Sequence, residues 1–216
     1  MREVLLGFEF CAALVGCLYF VRLKNTYWKW FSLYLLFIFI QDLFWIIIIP
    51  PGSTSVLDNY VNMYYTFVGI PIQYLFFFWL YASKSLSRKN LFYGFSSVYI
   101  LFLLVTEVFL KEYDLGLPVN IIIGTFLLTT LVILEFIKQV QNENTLKFKE
   151  NKMFYINTGI LLFYFGTCPL SILISNASKE LKNLGYTPFI YYFLISNCLM
   201  YLLFSASFIW GKNPSK

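Results

Sequence analysis

Seven apolar segments of about 20 residues dominate this sequence and limit what it can fold into. A helix of that length crosses a hydrocarbon core roughly 30 Å thick. Of the 216 residues, 59% are hydrophobic and only 12% are charged, which is more apolar than soluble domains are. The sequence therefore predicts an all-α, polytopic membrane protein, with residues 1–216 forming a single seven-helix transmembrane domain. The predicted spans cover residues 4–21, 28–49, 60–82, 91–110, 118–137, 153–175 and 189–210.

The basic residues indicate how the chain is oriented. Most of the 16 Lys and Arg residues fall in the loops after the first, third and fifth segments and beyond the seventh. By the positive-inside rule, the N-terminus is outside and the C-terminus is cytoplasmic. Trp28, Trp30, Trp79 and Trp210 fall at the same ends, as expected of anchors at the lipid headgroups. The formal charge of +5 thus indicates contact with the lipid bilayer and no nucleic-acid partner.

Polar side chains inside the apolar segments are the candidates for function, because such groups are costly in lipid. Glu9 and Asp42 lie at a similar depth, about 10 Å below the outer surface at 1.5 Å per residue. We expect an outward-facing pocket that binds a small or lipophilic ligand, a proton or a cation. Its predicted lining residues are Glu9, Gln41, Asp42, Asn62, Gln73, Thr167, Ser196 and Asn197.

A plainer interpretation of the same residues stays open. Glu9 would extend outward to the headgroups, Asp42 would hydrogen-bond a neighbouring helix, and the hydroxyl groups would only satisfy contacts between helices. Pro71 and Pro169 interrupt the third and sixth segments, where they predict kinks that serve either as hinges or as ordinary bends. Glu135 lies one turn before Lys138 and is expected to form an ion pair with it.

Several chemistries are excluded by residue types. The chain contains no histidine, and its four cysteines lie in apolar segments, so no metal site is predicted. A rhodopsin-type retinal needs a lysine in the last helix, and residues 189–210 contain none, so no cofactor is expected. An enzymatic role is not favoured, although hydrolysis through Glu9 and Asp42 as an acid pair stays open.

Two resemblances point to families. The run from Phe163 to Asn176, FYFGTCPLSILISN, resembles the sixth-helix signature of uncharacterised seven-helix membrane proteins of Bacteroidetes bacteria, and Tyr64-Tyr65 with QYLFF at 73–77 resembles their third helix. This resemblance spans nearly the whole chain and implies a bacterial cytoplasmic (inner) membrane protein with no assigned activity. Separately, Pro71-Ile72-Gln73 resembles the Pro-Gln element of small SWEET-type sugar transporters, although here it lies in the third segment and contains an intervening isoleucine.

Three functions fit these features. The first is a sensory or accessory protein that binds its ligand from the outer side and acts on a cytoplasmic or membrane protein partner through its cytoplasmic loops. The second is a small proton- or cation-coupled transporter, with the two prolines as hinges. The third is a subunit of an oligomeric channel or membrane complex. The sequence leaves the ligand, the partner and the oligomeric state open.

Overall fold

A computed structural model describes residues 2–48, 55–109, 116–141, 150–167 and 179–211 as an array of long helices. Within these residues, six helices are long and apolar enough to cross a membrane. The prediction of a helical membrane-type fold is confirmed at that level. The helices are α1 (Arg2–Leu23), α2 (Lys29–Ile48), α3 (residues 55–85), α4 (Lys89–Phe109), α5 (Gly116–Gln141), α6 (Lys152–Ile160 continued by Leu161–Phe165) and α7 (Lys179–Ile209).

The helix ends differ most from the sequence prediction at α7. This helix begins at Lys179, whereas the apolar segment begins at Phe189, so the stretch 179–188 is helical although it is polar. Hydropathy locates the part of a helix that suits lipid, while the hydrogen-bonded helix can continue beyond it. Pro188 lies inside α7 without ending it. For α6, the described residues stop at 167, so Pro169 and the rest of the predicted sixth span lie outside them.

The described residues form two compact units. The first unit lies within Met1–Phe44 and Asn142–Lys216 and contains α1, α6, α7 and most of α2. In it α1 and α2 run antiparallel, since Phe10 contacts Phe39 and Gly16 lies against Ser32. Helices α6 and α7 are also antiparallel. Phe163 contacts Phe193 near one end of this pair, and Tyr155 contacts Trp210 near the other.

The second unit, Trp45–Gln141, contains α3, α4 and α5. Tyr74 of α3 is buried against α5, where its hydroxyl donates to the Ile121 carbonyl over 3.0 Å and lies 2.9 Å from the Thr125 Oγ1. Gly124 leaves room for the Tyr74 ring, because a Cβ at this position would lie 2.5 Å from its Cε2 atom. The tyrosine therefore joins two helices through a close approach that a larger residue would prevent.

The second unit also contains the predicted pair of Glu135 and Lys138. The Lys138 Nζ lies 3.7 Å from the Glu135 Oε2, so the ion pair is confirmed. The same carboxylate oxygen accepts a 2.6 Å hydrogen bond from Ser85, and Lys138 donates to the Ser85 carbonyl. Because that carbonyl lies in the last turn of α3, this cluster satisfies the end of one helix from the side of another.

Helix α3 is α-helical at Ser55–Tyr64 and Ile70–Phe78 and widens into π-helical turns at Tyr65–Gly69 and Trp79–Ser85. The first widened turn ends immediately before Ile70, whose N–H donates to the Tyr65 carbonyl five residues earlier. Pro71 follows and has no N–H to donate. The predicted irregularity at Pro71 therefore takes the form of a π-helical turn, a feature frequent at functional sites.

Candidate functional site

A stripe of small residues on α1 brings Glu9 into the interior of the first unit. The buried residues of this helix include Glu9, Ala12, Ala13 and Gly16, which follow helical spacing along one face. Small side chains allow neighbouring helices to approach closely, and a Cβ at Gly16 would already contact Ser32 at 3.4 Å. Glu9 lies on the same face, so its side chain is only 4% exposed. It does not extend to the surface, as the plainer interpretation required.

Asp42 meets Glu9 from α2. The two carboxyl groups are hydrogen-bonded to each other, and Arg2 interacts with Glu9 electrostatically. The neighbouring Gln41 is buried, and its Nε2 donates to the Asp42 Oδ1 over 3.3 Å. The two acids that the sequence placed at one depth are thus direct partners.

Tyr201 of α7 is the third member of this cluster. Its buried hydroxyl is hydrogen-bonded to Glu9, and it interacts electrostatically with Asp42. Tyr34 of α2 and Tyr164 of α6 also interact electrostatically with Tyr201. We call Glu9, Asp42 and Tyr201 the acid cluster. All four helices of the first unit contribute to it or to its immediate surroundings.

The acid cluster can hold a proton between its two carboxyl groups. A carboxylate only accepts hydrogen bonds, whereas a protonated carboxyl group also donates one. The hydrogen bond between Glu9 and Asp42 therefore needs a proton on one of them. The Glu9 Oε2 atom is buried and has no hydrogen-bond partner among the described residues, so one acceptor position stays open. Two ionised carboxylates side by side in a medium of low dielectric constant would repel each other strongly.

The acid cluster suits a metal ion less well than it suits a proton. No group of three or more His, Cys, Asp or Glu side chains that could hold a metal lies within the described residues. A hard cation takes about six or more oxygen ligands. Tyr201 donates to Glu9 and so occupies one of the few acceptor positions that the pair offers.

The other predicted site residues of the first unit lie on α7 and just after α6. Ser196 and Asn197 are buried, and the Ser196 hydroxyl donates to the Phe193 carbonyl of its own helix over 3.2 Å. The Asn197 Oδ1 has no hydrogen-bond partner among the described residues. Thr167 is half-buried, and its hydroxyl donates to the Phe163 carbonyl. The two hydroxyl groups donate within their own helices. The plainer interpretation expected them to satisfy contacts between helices instead. Asn197 retains an open acceptor.

The remaining predicted site residues belong to the second unit. Asn62 is exposed on α3, Gln73 is half-buried and Pro71 is buried. That they share one pocket with the acid cluster stays a prediction. Pro169, the second predicted hinge, lies outside the described residues.

The tyrosines are the members of the site that the sequence analysis missed. Tyrosine is abundant in this chain, with 17 residues, and its usual role in membrane helices is at the interface, so single tyrosines do not attract attention. The available signal was position. Tyr201 lies one helical turn after Asn197, on the same face of α7 as this predicted site residue.

Below the acid cluster the first unit is filled with aromatic rings. Phe31 is fully buried and contacts Phe204 and Phe208, with ring centroids 5.2 and 5.5 Å apart. Tyr34 stacks on Phe31 from the side of the acid cluster, and Trp28 meets Phe31 from the other side. We call Trp28, Phe31, Phe204 and Phe208 the aromatic floor. It closes the interior between the acid cluster and the end of the unit where α1 meets α2.

Lys152 lies beyond this floor, at the first position of α6 and just before the predicted sixth span. Its side chain is buried, and its Nζ lies 5.5 Å from the centroid of the Trp28 ring. Burial lowers the pKa of the Lys152 amine from 10.5 to about 8. The folded protein thus disfavours the charged form of this lysine.

We expect Lys152 to make stability depend on pH in a defined direction. Between about pH 8 and 10.5 the unfolded chain holds a proton on this lysine that the folded chain has lost, so the free energy of unfolding rises with pH across this window. Below about pH 8 both the folded and the unfolded chain hold this proton, so the contribution of Lys152 no longer changes with pH. The measurement is the unfolding midpoint in detergent from pH 7 to 10.5 for the wild type and Lys152→Met. An equal slope in both proteins would contradict the expectation.

The fold and the site together define a helical membrane-type protein with a buried acid cluster. Comparison with protein-family models, with curated proteins and with solved structures gives no match for this chain.

Proposed function

We propose that this chain is a sensory or accessory membrane protein whose acid cluster binds a proton from the outer side of a cell membrane. The observation that carries the proposal is the direct hydrogen bond between the buried carboxyl group of Glu9 and the half-buried one of Asp42, which lie on different helices. When a proton is lost from such a pair, the two carboxylates repel each other in a medium of low dielectric constant. This repulsion would push apart the two helices that carry them.

Helix α7 is the element that would report the change. Tyr201 on this helix is hydrogen-bonded to Glu9 and interacts electrostatically with Asp42, so the charge state of both acids acts on it. The same helix packs against α6, where Gly159 lies 3.4 Å from Met200 as measured from a Cβ built on the glycine. Movement of α7 would therefore pass to α6 and to the loops beyond it, where a partner protein would bind.

The aromatic floor favours a sensor over a conduit in this unit. Its rings fill the interior on one side of the acid cluster and leave Phe31 fully buried. A proton that enters from the opposite side would reach the acid cluster, and the aromatic floor would block its way further. This arrangement favours reversible binding of a proton over its passage through the unit.

The test is a pH titration of the protein in lipid nanodiscs, followed by infrared difference spectroscopy of the protonated carboxyl band. We expect a pH-dependent band in the wild type that both Glu9→Gln and Asp42→Asn remove. Glu3→Gln is the matched control, because Glu3 is an exposed acid on the same helix, and it should leave the band in place. A band that survives in both site variants would refute the proposal.

A small proton-coupled transporter is the second candidate. The observation that favours it is the π-helical turn before Pro71 in α3, since broken helices occur at the binding sites of transporters. Transport predicts a proton flux into proteoliposomes that depends on substrate and disappears in Asp42→Asn. A sensor predicts the carboxyl band without any flux.

A further inference from the structure

The turn between α1 and α2 presents a compact group of positive charges. Arg22, Lys24 and Lys29 lie within nine residues, and no acidic residue occurs in residues 22–30. Thr26 fixes the turn, because both its backbone N–H and its hydroxyl donate to the Leu23 carbonyl, over 2.8 and 2.9 Å. Leu23 itself is buried. The charges are therefore presented by an ordered segment.

Aromatic rings hold two of these charges. The Arg22 guanidinium lies 5.4 Å from the centroid of the Tyr19 ring, and the Lys29 ammonium lies 5.6 Å from that of Trp30. Neither side chain forms an ion pair with a carboxylate among the described residues. Trp30 is 49% exposed, as suits a ring at the level of lipid headgroups. The positive charges are thus positioned and remain available to an anion.

The surface beside the turn is strongly apolar. Leu18 and Val21 are among the most exposed hydrophobic residues of α1, at 70% and 81%. An anion bound to Arg22 and Lys29 would therefore lie directly next to surface that favours hydrocarbon. A lipid satisfies both parts of this surface at once, whereas a free phosphate ion satisfies only the charged part.

A buried donor lies close to the same turn. The indole Nε1 of Trp28 is buried and has no hydrogen-bond partner among the described residues. Lys152 places its ammonium group over the ring of this tryptophan. The unpartnered indole N–H adds a donor at the base of the turn.

We propose that the α1–α2 turn is a binding site for the phosphate of an anionic phospholipid, with Arg22 and Lys29 as its main ligands and Leu18 and Val21 against the acyl chains. The site is independent of the acid cluster, so it stands or fails separately from the proposed function. It would fix the end of the first unit at the headgroup region of an anionic leaflet.

The experiment measures binding of a fluorescent short-chain phosphatidylglycerol to the full chain in neutral detergent, by anisotropy. Removing both ring-held charges in the double variant Arg22→Gln/Lys29→Gln should weaken binding by roughly fivefold for each charge. The double variant Arg88→Gln/Lys89→Gln removes one exposed arginine and one exposed lysine, and it should bind within about twofold of the wild type. Thermal unfolding of each variant confirms that it is folded.

Competition identifies the ligand. Unlabelled phosphatidylglycerol should displace the probe, while phosphatidylcholine and inorganic phosphate should not. Displacement by inorganic phosphate at similar concentration would show a soluble-anion site and overturn the proposal. An equal loss of binding in the two double variants would also overturn it, because general charge attraction would then explain the binding.

Discussion

Replacing Phe31 by alanine is expected to lower the free energy of unfolding by about 3–5 kcal/mol, the largest loss among the substitutions considered. Phe31 is fully buried, and its ring contacts those of Trp28, Tyr34, Phe204 and Phe208. Its removal leaves a cavity between α2 and α7 that the neighbouring rings cannot fill without leaving their own contacts. The measurement is unfolding in detergent, followed by circular dichroism.

The matched control is Phe37→Ala on the same helix. Phe37 is 37% exposed, so its ring is only partly packed within the protein and its loss should cost less. If both variants lost stability equally, the aromatic floor would not be the packed centre of the first unit. A second readout concerns the acid cluster. Because Tyr34 rests on Phe31, we expect Phe31→Ala to broaden the pH response of the carboxyl band without abolishing it.

The second large effect is expected at Gly124 in the other unit. In Gly124→Ala the added methyl group would lie 2.5 to 2.7 Å from three atoms of the Tyr74 ring. That ring cannot easily move, because its hydroxyl is held by Ile121 and Thr125 and its other side contacts Tyr99. Overpacking of this kind costs about 1–3 kcal/mol.

Gly94→Ala serves as the control for this prediction. Gly94 is also a helical glycine, but a Cβ there meets nothing within 4 Å. Alanine is the better helix former by roughly 0.5–1 kcal/mol, so Gly94→Ala should keep or slightly raise the unfolding midpoint. A midpoint for Gly124→Ala equal to that of Gly94→Ala would show that α3 and α5 do not approach as closely as the structure indicates.

The sequence predicted the helices better than their partners. Runs of apolar residues identify spans without reference to tertiary structure, because the cost of exposing backbone polar groups in lipid acts on each helix separately. The same reasoning missed the start of α7, since the polar stretch from Lys179 to Thr187 carries no hydropathy signal although it is helical. The ion pair of Glu135 and Lys138 was predictable because its members are one turn apart on one helix.

The acid cluster was predictable only in part. Glu9 and Asp42 were selected because acids within spans are rare, and their shared depth follows from counting residues along two helices. Tyr201 was not selected, because its role depends on which face of α7 turns toward α1. Nor did depth alone distinguish Asn62, which is exposed on α3, from Asn197, which is buried on α7.

The amino-acid sequence by itself determined that this chain forms apolar helices and that two acids lie inside them, because hydropathy and residue spacing act locally along each helix. Tertiary structure alone decided that Glu9 and Asp42 bond to each other, that Tyr201 joins them and that aromatic rings close the interior beneath. The physical reason is that these contacts depend on helix rotation and on close approach at small residues such as Gly16, which side-chain packing between helices sets.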